Sequence, residues 1–177
     1  MTERGTRDVT TPSEDIPTPS LRIQIGTHTL KARLETEKAP LTCQALGRIL
    51  PLRAKLIQAR WSGEAGWIPL GDVRLGIDNE NHTSYPAPGE ILLYPGGISE
   101  MEILVPYGAT RFASKVGQLA GNHFATLLTS RATLAEIGRL ILWEGALDVV
   151  IDLERPLANT DPFGSPAISS PDSLPNG

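Results

Sequence analysis

The chain has 177 residues, 40% of them hydrophobic, which suits one domain with a single core. Its net charge of −4 and its scattered basic residues argue against a phosphate-binding surface, so we expect no nucleic-acid partner. The single cysteine excludes an internal disulfide, and no Cys/His spacing suggests zinc, so we expect no metal and no cofactor.

Both ends of the chain are poor in apolar residues and rich in Pro, Ser and Thr. Residues 1–19 are predicted to be a disordered arm and residues 155–177 a disordered tail, because such segments bury too little surface to offset the entropy of ordering. The domain is expected over 20–154. No secretory signal and no membrane-length apolar run is found, which predicts a cytoplasmic protein with no membrane partner.

The first half of the domain begins with alternating apolar residues at 21–25 and 29–35, which predict a β-hairpin. A helical period follows over 39–51 and ends at a proline. Strands are predicted at 54–61 and 66–71, around the turn "SGEA". The apolar stripe expected on the helix is Leu41, Ala45, Leu46, Ile49 and Leu50.

Cys43 lies in this first helical pattern. A small buried hydrophobe is the favoured interpretation of this residue, and a catalytic thiol is the alternative.

A polar loop at 72–89 precedes two predicted strands, 90–95 and 101–107. The glycine-broken stretch 112–128 is predicted to form two short strands or one bent strand.

A second helix is predicted over 133–146, with Thr133 and Glu136 as a capping box and Gly145 as its stop. The last predicted strand is 147–153.

Two helices are too few to cover both faces of an open parallel sheet, whereas six to eight short strands with glycine corners favour closure. The pattern therefore predicts a mainly β protein, a closed antiparallel barrel with a capping helix at each end.

Three stretches, "ARWSGEAGWIPLG", "ENHTSYPAPGEILLYPGGISEMEILVPYG" and "FASKVGQLAGNHFATL", resemble a bacterial and archaeal family of small proteins of unknown function with a cyclophilin-like fold. The similarity covers roughly residues 20–153 and implies an eight-stranded barrel with a helix at each end. The Arg and Phe/Gln signature of prolyl isomerases of this fold is absent, so the resemblance implies no such activity.

The corner after the third strand carries Trp61, Ser62 and Glu64. Glu64 is a candidate catalytic carboxylate at the barrel mouth, and the alternative is a solvated hairpin residue. Trp61 and Ser62 are candidate ligand-binding residues, although the phase of Trp61 also fits core packing.

The stretch "LLYPGGISEMEILVPYG" contributes Tyr94 as a ligand-binding candidate and Tyr107 as a catalytic one. Tyr107 shares the phase of Met101, and it is therefore expected to point inward at the end of its strand. Glu100 and Glu102 have the opposite phase and are expected on an outward, solvated face.

In the third stretch, His123 is a candidate general base, with a structural hydrogen-bonding role as the alternative. Asn122 beside it and Phe112 are added as candidate ligand-binding residues.

These residues predict a protein that binds or processes a small polar molecule in a pocket at the barrel mouth. The alternatives are a non-catalytic interaction module, a subunit of a larger enzyme complex and, least favoured, a peptidyl-prolyl isomerase. Homo-oligomerisation and enzymatic activity both stay open.

Overall fold

The computed structural model describes residues 19–155, so the predicted terminal arm and tail lie, apart from residues 19 and 155, outside the described residues. The elements in chain order are β1 (Ser20–Ile25), β2 (His28–Leu34), α1 (Pro40–Gly47), β3 (Leu52–Gln58), β4 (Gly63–Gly71), β5 (His82–Thr83), β6 (Glu90–Tyr94), β7 (Met101–Thr110), β8 (Ala113–Ser114), β9 (Gly117–Gln118), β10 (Gly121–Leu127), α2 (Arg131–Trp143) and β11 (Leu147–Arg155).

Eight of these strands form the closed antiparallel barrel that the sequence predicts. They follow one another in the order β2, β1, β11, β3, β4, β7, β6 and β10, and β10 closes the ring by pairing with β2 through Ala125 opposite Leu34. The short strand β5 adds to the other end of β10, and β8 pairs only with β9.

The barrel interior is filled by the inward positions of these strands, as alternation requires. In the first hairpin the predicted phase is confirmed, because the alternating residues from Leu21 to Ile25 and from Leu30 to Leu34 are all buried. On β7 the interior residues are Met101, Ile103 and Val105.

Helix α1 contacts β10, whereas α2 packs on β3, β4 and β7. The apolar stripe predicted for α1 is partly wrong, because the Leu41 side chain is exposed and Thr42 and Cys43 are buried instead. No helix within residues 19–155 has the length and apolar content needed to cross a membrane.

The start of α2 also differs from the predicted capping box. The N-cap is Ser130, whose hydroxyl accepts a hydrogen bond from the Thr133 backbone N–H, and Glu136 pairs with Arg139 instead of returning to the cap. Ser130 is itself a favourable cap, so the helix starts two residues earlier than predicted. The stop is as expected, with Gly145 at a positive φ just after the last turn.

Strands β4, β6 and β7 are apolar on both faces. Their outward residues join the 112–119 segment in a second buried group, called here the outer cluster. Its members are Ala59, Ala65, Leu92, Tyr94, Leu104, Phe112 and Leu119. The stretch predicted as two short strands or one bent strand thus divides into the β8–β9 hairpin, which lies beside this outer layer, and the barrel strand β10.

Candidate functional site

A cavity of about 410 Å³ lies on the outer face of the barrel, between the sheet and the 112–115 segment. We call it the outer pocket. Its lining includes Ile57, Trp61, Ser62, Trp67, Glu102, Leu104 and Phe112. Leu104 and Phe112 also belong to the outer cluster, whereas the intervening residues of β7 face the interior. This cavity is therefore not at the barrel mouth, where the sequence placed the pocket.

Glu102 is the buried carboxyl of the outer pocket, with only 6% of its surface exposed. Burial raises its pKa to about 7, since the charged form is poorly solvated there, and the negative charge of Glu100 acts in the same direction. The Trp67 indole has a smaller, opposite effect on this pKa. Glu102 can therefore exchange a proton near neutral pH, which is the range a general acid or base requires.

Trp67 is the diagonal cross-strand neighbour of Glu102, because Pro69 faces Glu102 and Trp67 faces Leu104 in the β4–β7 register. Its indole Nε1–H is buried and has no hydrogen-bond acceptor within residues 19–155. The indole lies near enough to lower the pKa of Glu102, yet it does not reach hydrogen-bond geometry. A buried donor and a buried carboxyl thus stand side by side in one cavity.

The corner after β3 forms one edge of the outer pocket, and it contains two predicted ligand-binding residues. Trp61 is 61% exposed, so the core packing that its phase favoured is wrong. Ser62 is buried, and its hydroxyl donates to the Ala113 carbonyl at 3.0 Å and accepts from the Ala113 N–H at 3.2 Å. Ser62 therefore ties the corner to the opposite wall.

Phe112 and Tyr94 pack against each other beside the pocket. Their rings meet edge to face at 87° with centroids 6.0 Å apart. Phe112 lines the cavity, whereas the Tyr94 hydroxyl accepts a hydrogen bond from the Ile98 N–H. Phe112 is thus placed to contact a ligand, and Tyr94 holds the 95–98 turn.

Tyr107 lies beneath α2, and Glu64 is close enough for its charge to act on the Tyr107 phenol. The Tyr107 hydroxyl donates to Gln58 at 2.9 Å, and its ring packs against Gly138 of α2. Burial raises the pKa of Tyr107, and the charge of Glu64 raises it further. The Glu64 carboxylate accepts a hydrogen bond from the Ala109 N–H at 2.6 Å. Both groups have structural partners here.

His123 belongs to a different group of contacts. Its Nε2 lies 2.9 Å from the Thr126 hydroxyl, which donates to Glu35 at 2.7 Å. Glu35 also pairs with Arg33. Of the three residues predicted as catalytic, Glu64 and Tyr107 are therefore close to each other, whereas His123 has other partners. The catalytic role of all three stays a prediction.

Asn122 is fully buried, and its amide donates to the Thr42 hydroxyl and to the Asp78 carbonyl, both at 2.9 Å. Its side-chain oxygen accepts from the Glu80 N–H. These contacts use both amide hydrogens and the side-chain oxygen, and they fix the 78–80 loop beside α1. The ligand-binding role of Asn122 stays a prediction.

Cys43 is buried, and burial raises the pKa of its thiol to about 12, ahead of a smaller contribution from the Glu80 charge. The thiol is therefore neutral at physiological pH, and the favoured interpretation of a small buried hydrophobe is confirmed. In the described part of the chain no group of three or more His, Cys, Asp or Glu residues could hold a metal ion.

Sequence reasoning missed Glu102 and Trp67 as site residues. A usable signal was present, because "EILLY" and "MEILVPY" are apolar at nearly every position. A strand that is apolar on both faces is covered on both faces, so an outward carboxylate on it is not solvated.

Comparison with known proteins identifies a family and a fold. The family model described as "Protein of unknown function (DUF3830)" matches residues 21–152. No curated protein matches the chain.

The solved structures that are similar to this chain include the following two. McbB in complex with tryptophan has a TM-score of 0.58 at 17% identity, over 78% of this chain and 46% of McbB. The hypothetical protein AF2241 from Archaeoglobus fulgidus has a TM-score of 0.52 at 18% identity, over 76% of this chain and 94% of that protein. The chain thus spans about half the length of McbB, and these identities support a shared fold alone.

Proposed function

We propose a function for this chain, which belongs to the DUF3830 family of proteins of unknown function, from the geometry of its outer pocket. The protein binds a small, partly apolar molecule on the outer face of its cyclophilin-like barrel, and Glu102 is the polar group that orients this molecule or exchanges a proton with it.

The observation that carries this proposal is a nearly fully buried carboxyl in an open, mainly apolar cavity. Burying an ionisable group without a partner costs free energy, so a sequence retains such a group more readily where a ligand or a proton uses it. The cavity volume of about 410 Å³ falls in the usual range for small-molecule sites. McbB, one of the similar structures, was solved with tryptophan, a molecule of comparable class.

A screen of small molecules by thermal shift tests this function, because a ligand that binds only the folded state raises its apparent stability. Hits are then titrated by calorimetry against Glu102→Gln and Tyr107→Phe variants. We expect Glu102→Gln to weaken binding and Tyr107→Phe to leave it unchanged. The reverse pattern would return the ligand site to the barrel mouth.

An interaction module is the second candidate, supported by exposed apolar residues beside the pocket. Trp61 forms its rim, and Ile98 and Val116 adjoin pocket residues in sequence and are more than half exposed. Apolar side chains grouped in this way are typical of protein-binding surfaces. A thermal-shift screen without hits, together with a Trp61→Ala change that alters oligomeric state, would favour this candidate.

A further inference from the structure

Resting on this proposed function, we propose that the outer pocket recognises the edge of a planar amide or lactam. The Trp67 indole N–H donates to the ligand carbonyl, and the ligand N–H donates to the Glu102 carboxylate.

The first support is the pairing of one donor with one acceptor on neighbouring strands. Trp67 can only donate, whereas an ionised Glu102 can only accept. Both line the same cavity, and the indole is close enough to the carboxyl to lower its pKa without meeting it in full hydrogen-bond geometry. A cis-amide edge presents a carbonyl and an N–H side by side, which is the complementary arrangement.

The second support is the cost of leaving Trp67 without a partner. A buried unsatisfied donor costs about 1–3 kcal/mol, and a ligand acceptor at this position removes that cost. Sites that hydrogen-bond a ligand group also reject analogues that lack the group, because their own polar atoms are then left unpaired. The empty donor is therefore a source of specificity as well as affinity.

The walls of the pocket suit a flat ring attached to the amide. Ile57, Leu104 and Phe112 supply apolar surface, and the exposed Trp61 stands at the rim, where its indole face can cover a planar ligand.

The charges around the pocket disfavour the other simple ligand classes. Arg60 and Lys115 line it together with Glu100 and Glu102, so the lining carries no excess charge that would select an ion. An ammonium group would leave the Trp67 donor unpartnered. A carboxylate would place its charge beside that of Glu102. An uncharged group with one acceptor and one donor satisfies both residues.

Matched bicyclic probes test this assignment by NMR and calorimetry on the full chain. Isoquinolin-1-one is the lactam, isocoumarin the lactone of the same shape, and 1-naphthoate and 1-naphthylmethylammonium the charged probes. The three tryptophans give three indole N–H signals, and the signal that the Trp67→Phe variant lacks belongs to Trp67. We expect the lactam to shift the Trp67 signal downfield and to bind at least about tenfold more tightly than the lactone, which lacks the donor.

Variants separate hydrogen bonding from packing. Trp67→Phe should reduce lactam affinity at least about fivefold, while Trp143→Phe, the same change at an exposed position of α2, should leave it unaltered. Glu102→Leu should abolish the preference of lactam over lactone. Circular dichroism and melting temperature show that each variant is folded before it is titrated.

Two outcomes overturn the amide assignment. If the lactone or a charged probe shifts the outer-pocket signals at equal or higher affinity, the assignment fails and the proposed function stands. If none of the four probes shifts the Trp67 signal, the assignment also fails, and the wider thermal-shift screen decides the proposed function on its own.

Discussion

Glu35 and Glu102 are both buried carboxyls, yet their surroundings move their pKa values in opposite directions. Burial alone would raise the pKa of Glu35, but hydrogen bonds from Thr126 and Arg33 outweigh it and leave that pKa lowered. At Glu102 the Trp67 indole also acts to lower the pKa, but its effect is smaller than that of burial, so the pKa is raised to about 7. The donors around each carboxyl, rather than burial itself, decide which protonation state the fold favours.

Glu102→Gln should stabilise the protein increasingly as pH rises. The folded-state pKa of about 7 exceeds the ordinary 4.5, so the wild type loses stability between those values while the amide does not. The advantage of the variant over the wild type should grow by up to roughly 3 kcal/mol from pH 5 to pH 8. Urea unfolding at both pH values measures it, and Glu37→Gln at an exposed position is the control. An advantage of the same size at both pH values would show that Glu102 is ionised throughout.

Glu35→Gln should have the opposite pH dependence. The lowered pKa means that the ionised form stabilises the fold above the ordinary carboxyl range and that this contribution disappears as pH falls through the folded-state value. At pH 7 the variant should be about 1–2 kcal/mol less stable, the scale of a charge-assisted hydrogen bond. The deficit should shrink on acidification below about pH 4. A deficit that is independent of pH would assign the loss to packing alone.

Among the secondary-structure elements, local pattern predicted most of the strands and both helices. The hydrophobic period and the turn residues predict the bounds of the β1–β2 hairpin, the last strand and the two helices to within a few residues. The errors occur where a tertiary contact competes with the pattern. Leu41 fits a helical stripe but is exposed, because Thr42 bonds to Asn122 and turns another face of α1 inward. Glu102 lies on the outward face of its strand, as predicted, but it is buried and not solvated as expected. The reason is that a segment distant in sequence covers this face.

Gly138→Ala should destabilise the protein although alanine is the better helix former. A Cβ at this position would overlap the ring of Tyr107, so α2 must move away from β7. Overpacking typically costs about 1–3 kcal/mol, which exceeds the propensity gain of about 1 kcal/mol. Chemical denaturation measures the difference. Ala135→Gly, on the exposed side of the same helix, calibrates propensity alone. A stabilised Gly138→Ala variant would mean that the α2–β7 packing is loose.

For the whole molecule, the closed barrel was predictable but the candidate site was not. Closure follows from the number and shortness of the strands, which are properties of the sequence taken as a whole. The outer pocket depends on the proximity of β3, β4, β7 and the 112–115 segment, which no local period encodes. The contacts of His123 could not be predicted for the same reason. Its neighbours Thr126 and Glu35 come together through the β10–β2 pairing that closes the barrel.

The closed barrel also determines where the chain can be shortened. All eight of its strands lie within residues 20–155, and the family match covers 21–152, so a fragment of residues 20–155 contains every strand pairing described. We expect this fragment to unfold cooperatively with a free energy within about 1 kcal/mol of the full chain. Ending the chain at residue 146 is the matched control. That cut removes β11, which pairs with both β1 and β3, and it opens the barrel. It should abolish cooperative unfolding in urea followed by circular dichroism. A large loss of stability in the longer fragment would show that a terminal segment packs on the barrel, contrary to its composition.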